Sequence, residues 1–412
     1  MFKEKQFDSF IILLMFALLP IDMINGIMLK NGIILPVTLG QMFKLLIVGA
    51  LFYRFYIHNI KLLRISCALF IVMLIPSIYQ AIIQVKIGFI FSDIVKVGKY
   101  LTPLFTFFFF KTIIKNGEPL EIKKLFKLVW FSYLVLVGNI LLKYLGVGYP
   151  MYSTGSIGSK GFFFAGNETS ALFIILSSIL AYKIFLNKKQ WQFYFFMLFN
   201  LFIGISISSK TGILGMLLLM VLIPLERPTN QFDLRKLKKL SLLFLLYIPL
   251  LLSATWFVIK QTSVYSRLTY FWDKLDFWTF LFSHRNHFFI DAYKVYQAKY
   301  SAVEKWIGVG QYRYEQLNNS KIIEIDIGDL FFANGYLGLL LFLTLWGALA
   351  VKSWMLSRTK KHSYANFVFL MLVLLLGISS IAGHVINSGM SGVFIGLLFS
   401  LMYLKKERND EQ

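Results

Sequence analysis

Cysteine, acidic residues and nucleotide signatures are what this chain has least of. Cys67 is the single cysteine in 412 residues, so no disulfide framework holds the fold together. Its place inside an apolar run marks it as a small buried hydrophobe. Asp and Glu number 20 against 42 Lys and Arg, and charged residues reach only 15% of the chain, where soluble domains carry about 25%. There is no P-loop, no dinucleotide fingerprint, no His-Glu-x-x-His and no Cys/His metal constellation, so coupling to nucleotide hydrolysis is not written here. The first apolar stretch, Phe10–Ile27, lacks a small-x-small cleavage site and is followed at once by a second. It reads as a retained span rather than a signal peptide.

What is abundant is apolar length. Hydrophobic residues make up 58% of the chain, and a span needs about 20 of them in succession to cross the hydrocarbon. The pattern predicts an all-α polytopic membrane protein with about twelve transmembrane helices, at 9–27, 33–53, 62–84, 91–113, 125–146, 167–187, 191–207, 210–225, 239–259, 330–351, 364–383 and 387–404. Ten or eleven spans result if 86–113 or 210–225 does not cross fully. The net charge of +22 does not point to nucleic acid, because most of it sits in alternate short connectors. Arg54/Lys61/Arg64, Lys111 to Lys127, Lys183/Lys188/Lys189, Arg235 to Lys239 and Lys352 to Lys361 join the two ends, Lys3/Lys5 and Lys405/Lys406/Arg408, as one basic set. The positive-inside rule then puts both termini in the cytoplasm. The chain reads as a single membrane domain over 1–412: nine spans in 1–259, a large external loop at 260–329, three spans in 330–404 and a cytoplasmic tail at 405–412.

This topology brings Gly161–Ser170, Ser208–Gly212, His284–Tyr296, Glu324–Asp329 and Gly383–His384 to the outer face. A transporter buries its polar groups near mid-membrane; polar groups gathered at one surface suit an enzyme or receptor working there on a lipid-anchored molecule. The external loop is too long and too aromatic for a simple connector. Tyr270-Phe271-Trp272 and Phe277-Trp278, with Phe280 and Phe282, suit an amphipathic helix in the headgroup region. Ser283 is placed to cap a second helix with Phe289, Ala292, Tyr293 and Tyr296 at helical spacing.

The candidate chemistry follows from residue type. Arg285, Lys210 and Lys160 are external cations able to hold phosphate oxygens, arginine through its planar fork, although each could equally snorkel to lipid headgroups. Glu324 and Asp326 share a face if 324–329 is extended and could act as general base or hold a cation, with Asp329 as a helix cap. His284 flanks Arg285, and His384 stands in a short external turn. Asn167 and Glu168 read as a helix start, with Asn167 as its cap or as a ligand contact beside Lys160. Asp93 and Lys96 fall close enough to pair on a helix and stay outside the predicted site.

Several of these segments, in order, resemble the O-antigen ligase and O-antigen/capsule polymerase superfamily, the Wzy- and WaaL-like integral membrane glycosyltransferases. Lys160-Gly161 through Gly166-Asn167 is similar to that family's basic-glycine stretch, and Ser208-Ser209-Lys210-Thr211-Gly212 to its S-[RK]-[TG]-G element. Ile307-Gly308-Val309-Gly310, Asn334-Gly335-Tyr336-Leu337-Gly338 and Gly383-His384 resemble later elements. Ligase-type members commonly carry a histidine about eleven residues before the first glycine of G-x-x-G, where this chain has Glu324. That departure favours a polymerase and a carboxylate base.

The resemblance implies a GT-C-like fold and a cell-membrane enzyme with an extracytoplasmic site, needing neither metal nor other cofactor. Its donor and acceptor would be undecaprenyl-pyrophosphate-linked oligosaccharides in membrane lipid, with a chain-length regulator and a flippase as pathway partners. Arg285 would steady the pyrophosphate, with Lys210, Lys160, Asn167, His284 and His384 assisting, and Glu324 or Asp326 would take the acceptor proton. A ligase handing glycan to lipid or protein, a twelve-span transporter or flippase of polysaccharide units, and a non-catalytic receptor or assembly factor are the competing readings.

Overall fold

The computed structural model describes residues 4–35, 37–152, 157–225, 253, 260, 263–319, 321–359 and 361–406. Among these, the apolar runs are helices: α1 Glu4–Lys30, α2 Leu39–His58, α3 Ile60–Gln84, α4 Gly88–Asn116, α5 Pro119–Leu141, α6 Gly166–Leu186, α7 Gln190–Ile207 and α8 Lys210–Leu225. Five short helices follow, α9 Ser263–Lys274, α10 Phe277–Phe282, α11 Arg285–Lys299, α12 Ala302–Ile307 and α13 Gln311–Leu317, and then α14 Asp326–Arg358, α15 Ala365–Ser379 and α16 Ser391–Ser400. Seven of them are long and apolar enough to cross a membrane: α1, α3, α4, α5 with its extension to Leu145, α6, α7 and α14. The protein is a multi-pass membrane protein, and its regular elements among the described residues are all helices. α2, α8, α15 and α16 stand where four more spans are expected, the last three being shorter. Most of the predicted span 239–259, its basic linker Arg235 to Lys239, and Arg408 lie outside the described residues.

Local chemistry sets the helix ends. Thr38 and Gln41 form a capping box at α2, Asn59 accepts from the Leu62 amide to start α3, and Gly117 closes α4 in the left-handed region. Many of the polar residues gather at two ends of the bundle, while Tyr133 and Ser177 both bond to Asn200 in the middle of α5, α6 and α7. At the basic end, Arg54 is held by Glu4 at 2.7 Å and by Asp8 at 3.0 Å, Lys111 and Lys115 lie over the Tyr403 ring, and Tyr182 donates to the Ser363 carbonyl at 2.9 Å. At the other end, Tyr149 Oη donates to the Gly26 carbonyl at 3.1 Å, Ser170 and Ser209 hydroxyls meet at 2.7 Å, and Asn167 reaches Glu324 at 3.4 Å. The five polar stretches singled out in the sequence are all represented at that second end, called here the site face.

The segment before α14 is seated on the bundle by charge and by glycine. Asp93 on α4 accepts from the Tyr312 amide at 2.8 Å and the Ser77 hydroxyl at 2.6 Å, and Lys96 pairs with Glu315 at 2.6 Å. The expected Asp93–Lys96 pair is therefore not formed; each charge instead takes a partner on α13 or at its start, which satisfies both sides of the buried seam. α14 is broken at Gly335 (φ 61°, ψ −165°). The Ala333 carbonyl beside the break accepts the Val309 and Gly310 amides at 3.0 and 2.8 Å. A Cβ on Gly335 would stand 2.5 Å from the Trp306 carbonyl oxygen. Tyr296, Tyr300, Val309, Tyr314, Ile323 and Phe332 close a small core of their own beneath this segment.

Candidate functional site

Arg285 and Glu324 meet at the centre of the site face. Arg285 opens α11 directly after two left-handed residues, Ser283 and His284 (φ 52° and 68°), which turn the chain sharply out of α10. Glu324 is itself left-handed (φ 60°), a conformation that costs about 1–3 kcal/mol in a non-glycine residue and persists only where its surroundings impose it. The imposing neighbour is Gly383, whose absent Cβ would lie 2.5 Å from the Glu324 carbonyl carbon. Arg285 Nη2 donates to Glu324 Oε2 at 3.0 Å, and Asn167 Nδ2 to the same oxygen at 3.4 Å. The guanidinium side chain is 14% exposed and the carboxylate 42%, so the cation is held inside while its partner faces outward. Arg285 Nε is buried with no protein acceptor among the described residues.

Asp326 does something different from Glu324. The expected extended strip does not form, because the chain turns at Glu324 and α14 begins at Asp326. The Asp326 carboxylate accepts the backbone amides of His384, Val385 and Ile386 at 2.7, 2.9 and 2.8 Å and is 4% exposed. It binds the irregular 380–390 segment to α14, and both its oxygens are taken. Asp329 is likewise no helix cap: it accepts the Tyr314 hydroxyl at 2.8 Å and the Ile323 amide at 2.9 Å. Burial, with the Asp329 carboxylate next, pushes the Tyr314 phenol well up, so it stays protonated as the donor.

The remaining predicted residues ring this centre unevenly. Asn167 is not the cap of α6, since Ala165 holds that place; its side chain is turned to Glu324. Glu168 is buried and accepts the Ser388 hydroxyl at 2.8 Å, a second tie to the irregular segment. His384 contributes its backbone amide to Asp326 from a left-handed turn (φ 65°). Ser283 closes α10 rather than capping α11, and His284 precedes α11 with its ring 6.1 Å from that of His287. Lys210 donates to the Phe280 carbonyl at 2.5 Å and lies 3.9 Å over the Phe280 ring, which docks α10 on the bundle. Lys160 donates to the Phe164 carbonyl at 2.6 Å, and burial lowers its pKa. The geometry thus joins Arg285, Glu324 and Asn167 directly, and leaves Lys160 and Lys210 as flanking cations with protein partners of their own.

Ser388 and Tyr314 were missed by sequence reasoning. Neither belongs to a motif, and each matters through a carboxylate far away in the chain. The signal was indirect: Glu168 and Asp329 are acids beside or within apolar runs, and such acids require donors.

Residues 272–407 match the model of a family described as O-antigen ligase like membrane protein. The match covers less than half of the chain, but it contains Arg285, Glu324, the Gly335 break and the 380–390 segment, and it bears out the resemblance seen in the motifs. No curated protein matches the chain. Similarity to this family makes the chain resemble a membrane enzyme that handles lipid-linked glycan.

Proposed function

We propose that the protein is a polysaccharide polymerase of the cell membrane. It transfers glycan from undecaprenyl pyrophosphate to a hydroxyl of another lipid-linked repeat unit at the extracytoplasmic face. The observation that carries this reading is the Arg285–Glu324 pair, a half-exposed carboxylate against a buried guanidinium, held at 3.0 Å. A pyrophosphate competes with Glu324 for the guanidinium and takes the fork bidentately. The carboxylate so released accepts the proton of the acceptor hydroxyl. The acceptor oxygen bonds to the anomeric carbon as that carbon's bond to the pyrophosphate oxygen breaks, and pyrophosphate leaves with the electron pair. Attack opposite the leaving group inverts the anomeric centre. Arg285 stabilises the departing charge, with Lys160 and Lys210 adding to the local positive field.

The gathering of Lys5, Lys111, Lys115 and Lys183 at the opposite end supports a cytoplasmic assignment for that end, and with it twelve spans and both termini inside. Glu324, standing where ligase-type relatives carry histidine, supports polymerase over ligase. Deleting the gene in its own host and analysing carrier-linked intermediates tests the whole reading. Single repeat units accumulating outside, with long chains absent, are expected. Long carrier-linked chains left unattached would make it a ligase, and units trapped on the cytoplasmic side would make it a flippase.

A further inference from the structure

The inner face of α11 continues away from Arg285 through Phe288, Ala292 and Val295, at offsets that keep them on one side of the helix. Opposite it, residues 317–319 and 321–323 lead back towards Glu324. Between the two lies a cleft of about 240 Å³, far more than the ~30 Å³ of one water. Tyr314 and Ile323 form its floor, both fully buried. Its rim is polar and carries both signs of charge: Asp291, Asn318, Asn319 and Lys321. The Asp291 side chain is 71% exposed with Lys294 3.6 Å from one of its oxygens, and Asn318 is fixed by its own bond to the Tyr314 carbonyl at 3.0 Å. Phe288 lines one wall, with the Lys321 ammonium 5.9 Å from its ring centre.

We infer that this cleft is a saccharide subsite, holding sugar residues of a lipid-linked glycan whose pyrophosphate end lies at Arg285; it rests on the reading proposed above. A pyranose presents hydroxyls that both donate and accept, together with an apolar C–H face. The rim supplies an acceptor carboxylate, a donor ammonium and two carboxamides that do both, and Phe288 supplies a flat apolar wall. Neither charge dominates, which weighs against a phosphate or a strongly charged peptide as occupant. Position agrees: Phe288 is three residues, ~4.5 Å, along α11 from Arg285, and Ile323 adjoins Glu324. The cleft's lining therefore begins within one helical turn of Arg285 on α11 and at the residue next to Glu324 on the facing segment.

The test titrates the oligosaccharide released by mild acid from the host's own surface polysaccharide onto the full-length protein in nanodiscs. The probe carries no pyrophosphate, so Arg285→Ala should leave its affinity within about twofold. Losing one hydrogen bond to a charged group corresponds to about tenfold, the weakening expected of Asp291→Ala and of Lys321→Glu, with Phe288→Ala weaker still. All three sites lie on the cleft's rim or wall, and an unchanged melting temperature certifies the fold. Wild-type binding that none of the three variants weakens would place the saccharide elsewhere and overturn the inference. So would absence of probe binding in a protein that still elongates lipid-linked units, a result that leaves the polymerase reading standing. Equal displacement of the probe by a mixed peptide pool would make the cleft a protein-docking surface and overturn the inference too.

Discussion

Glu324→Gln and Asp326→Asn are near-identical changes two residues apart, and the structure requires opposite consequences. In Asp326→Asn one carboxylate oxygen becomes an NH2 group. If the retained oxygen keeps the Val385 and Ile386 amides, the new nitrogen faces the His384 amide, donor against donor. One bond to an ionised acceptor is lost, worth roughly 1.5–3 kcal/mol, and the other two weaken to neutral bonds at a cost of roughly 1 kcal/mol each. A destabilisation of about 3–5 kcal/mol is a large share of the 5–15 kcal/mol typical of a folded protein. Glu324→Gln keeps an acceptor oxygen for Arg285 Nη2 and loses only the charge of a half-exposed carboxylate, a cost of about 1–2 kcal/mol, so the fold should register it clearly less than Asp326→Asn. Removal of a general base should instead slow transfer by about 100- to 10,000-fold. Thermal unfolding in detergent reads the first effect. Glycan chain length in the complemented deletion strain, normalised to protein level, reads the second. A stable but inactive Asp326→Asn beside an active Glu324→Gln would reverse the assignments and refute this reasoning.

Three further changes test the surroundings. Arg285→Lys keeps the charge but loses the planar fork, and transfer should fall by about 100-fold or more with the melting temperature unchanged; rates within a factor of two of wild type would remove Arg285 from the mechanism. Gly335→Ala must adopt φ 61° and place a Cβ 2.5 Å from the Trp306 carbonyl oxygen, so α12 should lift from α14 and limited proteolysis between 300 and 325 should accelerate. Lys96→Glu and Glu315→Lys should each loosen the seating of α13, and the double exchange should restore it by up to about 1 kcal/mol of coupling; additive single effects would show that the pair at 2.6 Å contributes nothing.

The helices and the division into two ends were legible because both depend on averages over long stretches. Apolar length and alternating basic connectors survive any uncertainty about a single residue. Arg285 and Glu324 were legible as candidates by their setting, an arginine at a helix start and an acid in an alternating acidic–apolar run, yet their contact depends on two left-handed turns, at 283–284 and at 324. Nothing in Ser283, His284 or Glu324 announces such a conformation, since these residue types more often adopt right-handed or extended backbone. The same turn at Glu324 undid the expected common face of Glu324 and Asp326. Asn167 and Asp329 read locally as caps, and each was instead drawn to a partner more than five residues away. Asp93 and Lys96 satisfied the spacing rule for a helical pair. That rule has no knowledge of a loop arriving with the Tyr312 amide and Glu315.

The acids of the site face sort by what already occupies their lone pairs. Asp326 is filled by three backbone amides, Asp329 by an amide and a phenol, and Glu168 is tied to Ser388. Asp326 and Asp329 cannot accept a substrate proton without releasing buried backbone amides, at a cost comparable to local unfolding, and Glu168 would release the buried Ser388 hydroxyl. These three therefore spend their charge on holding irregular chain against the helices. Glu324 is the one acid of the 324–329 run whose described partners are only side-chain donors, the Arg285 guanidinium and the more distant Asn167 amide, and an anion can take the place of the first. The position where the motif departs from the ligase-type pattern is thus also the position where the fold leaves a carboxylate with side-chain partners alone. On the proposed mechanism, the residue that takes the proton and the cation that holds the pyrophosphate are thus paired with each other before any substrate arrives.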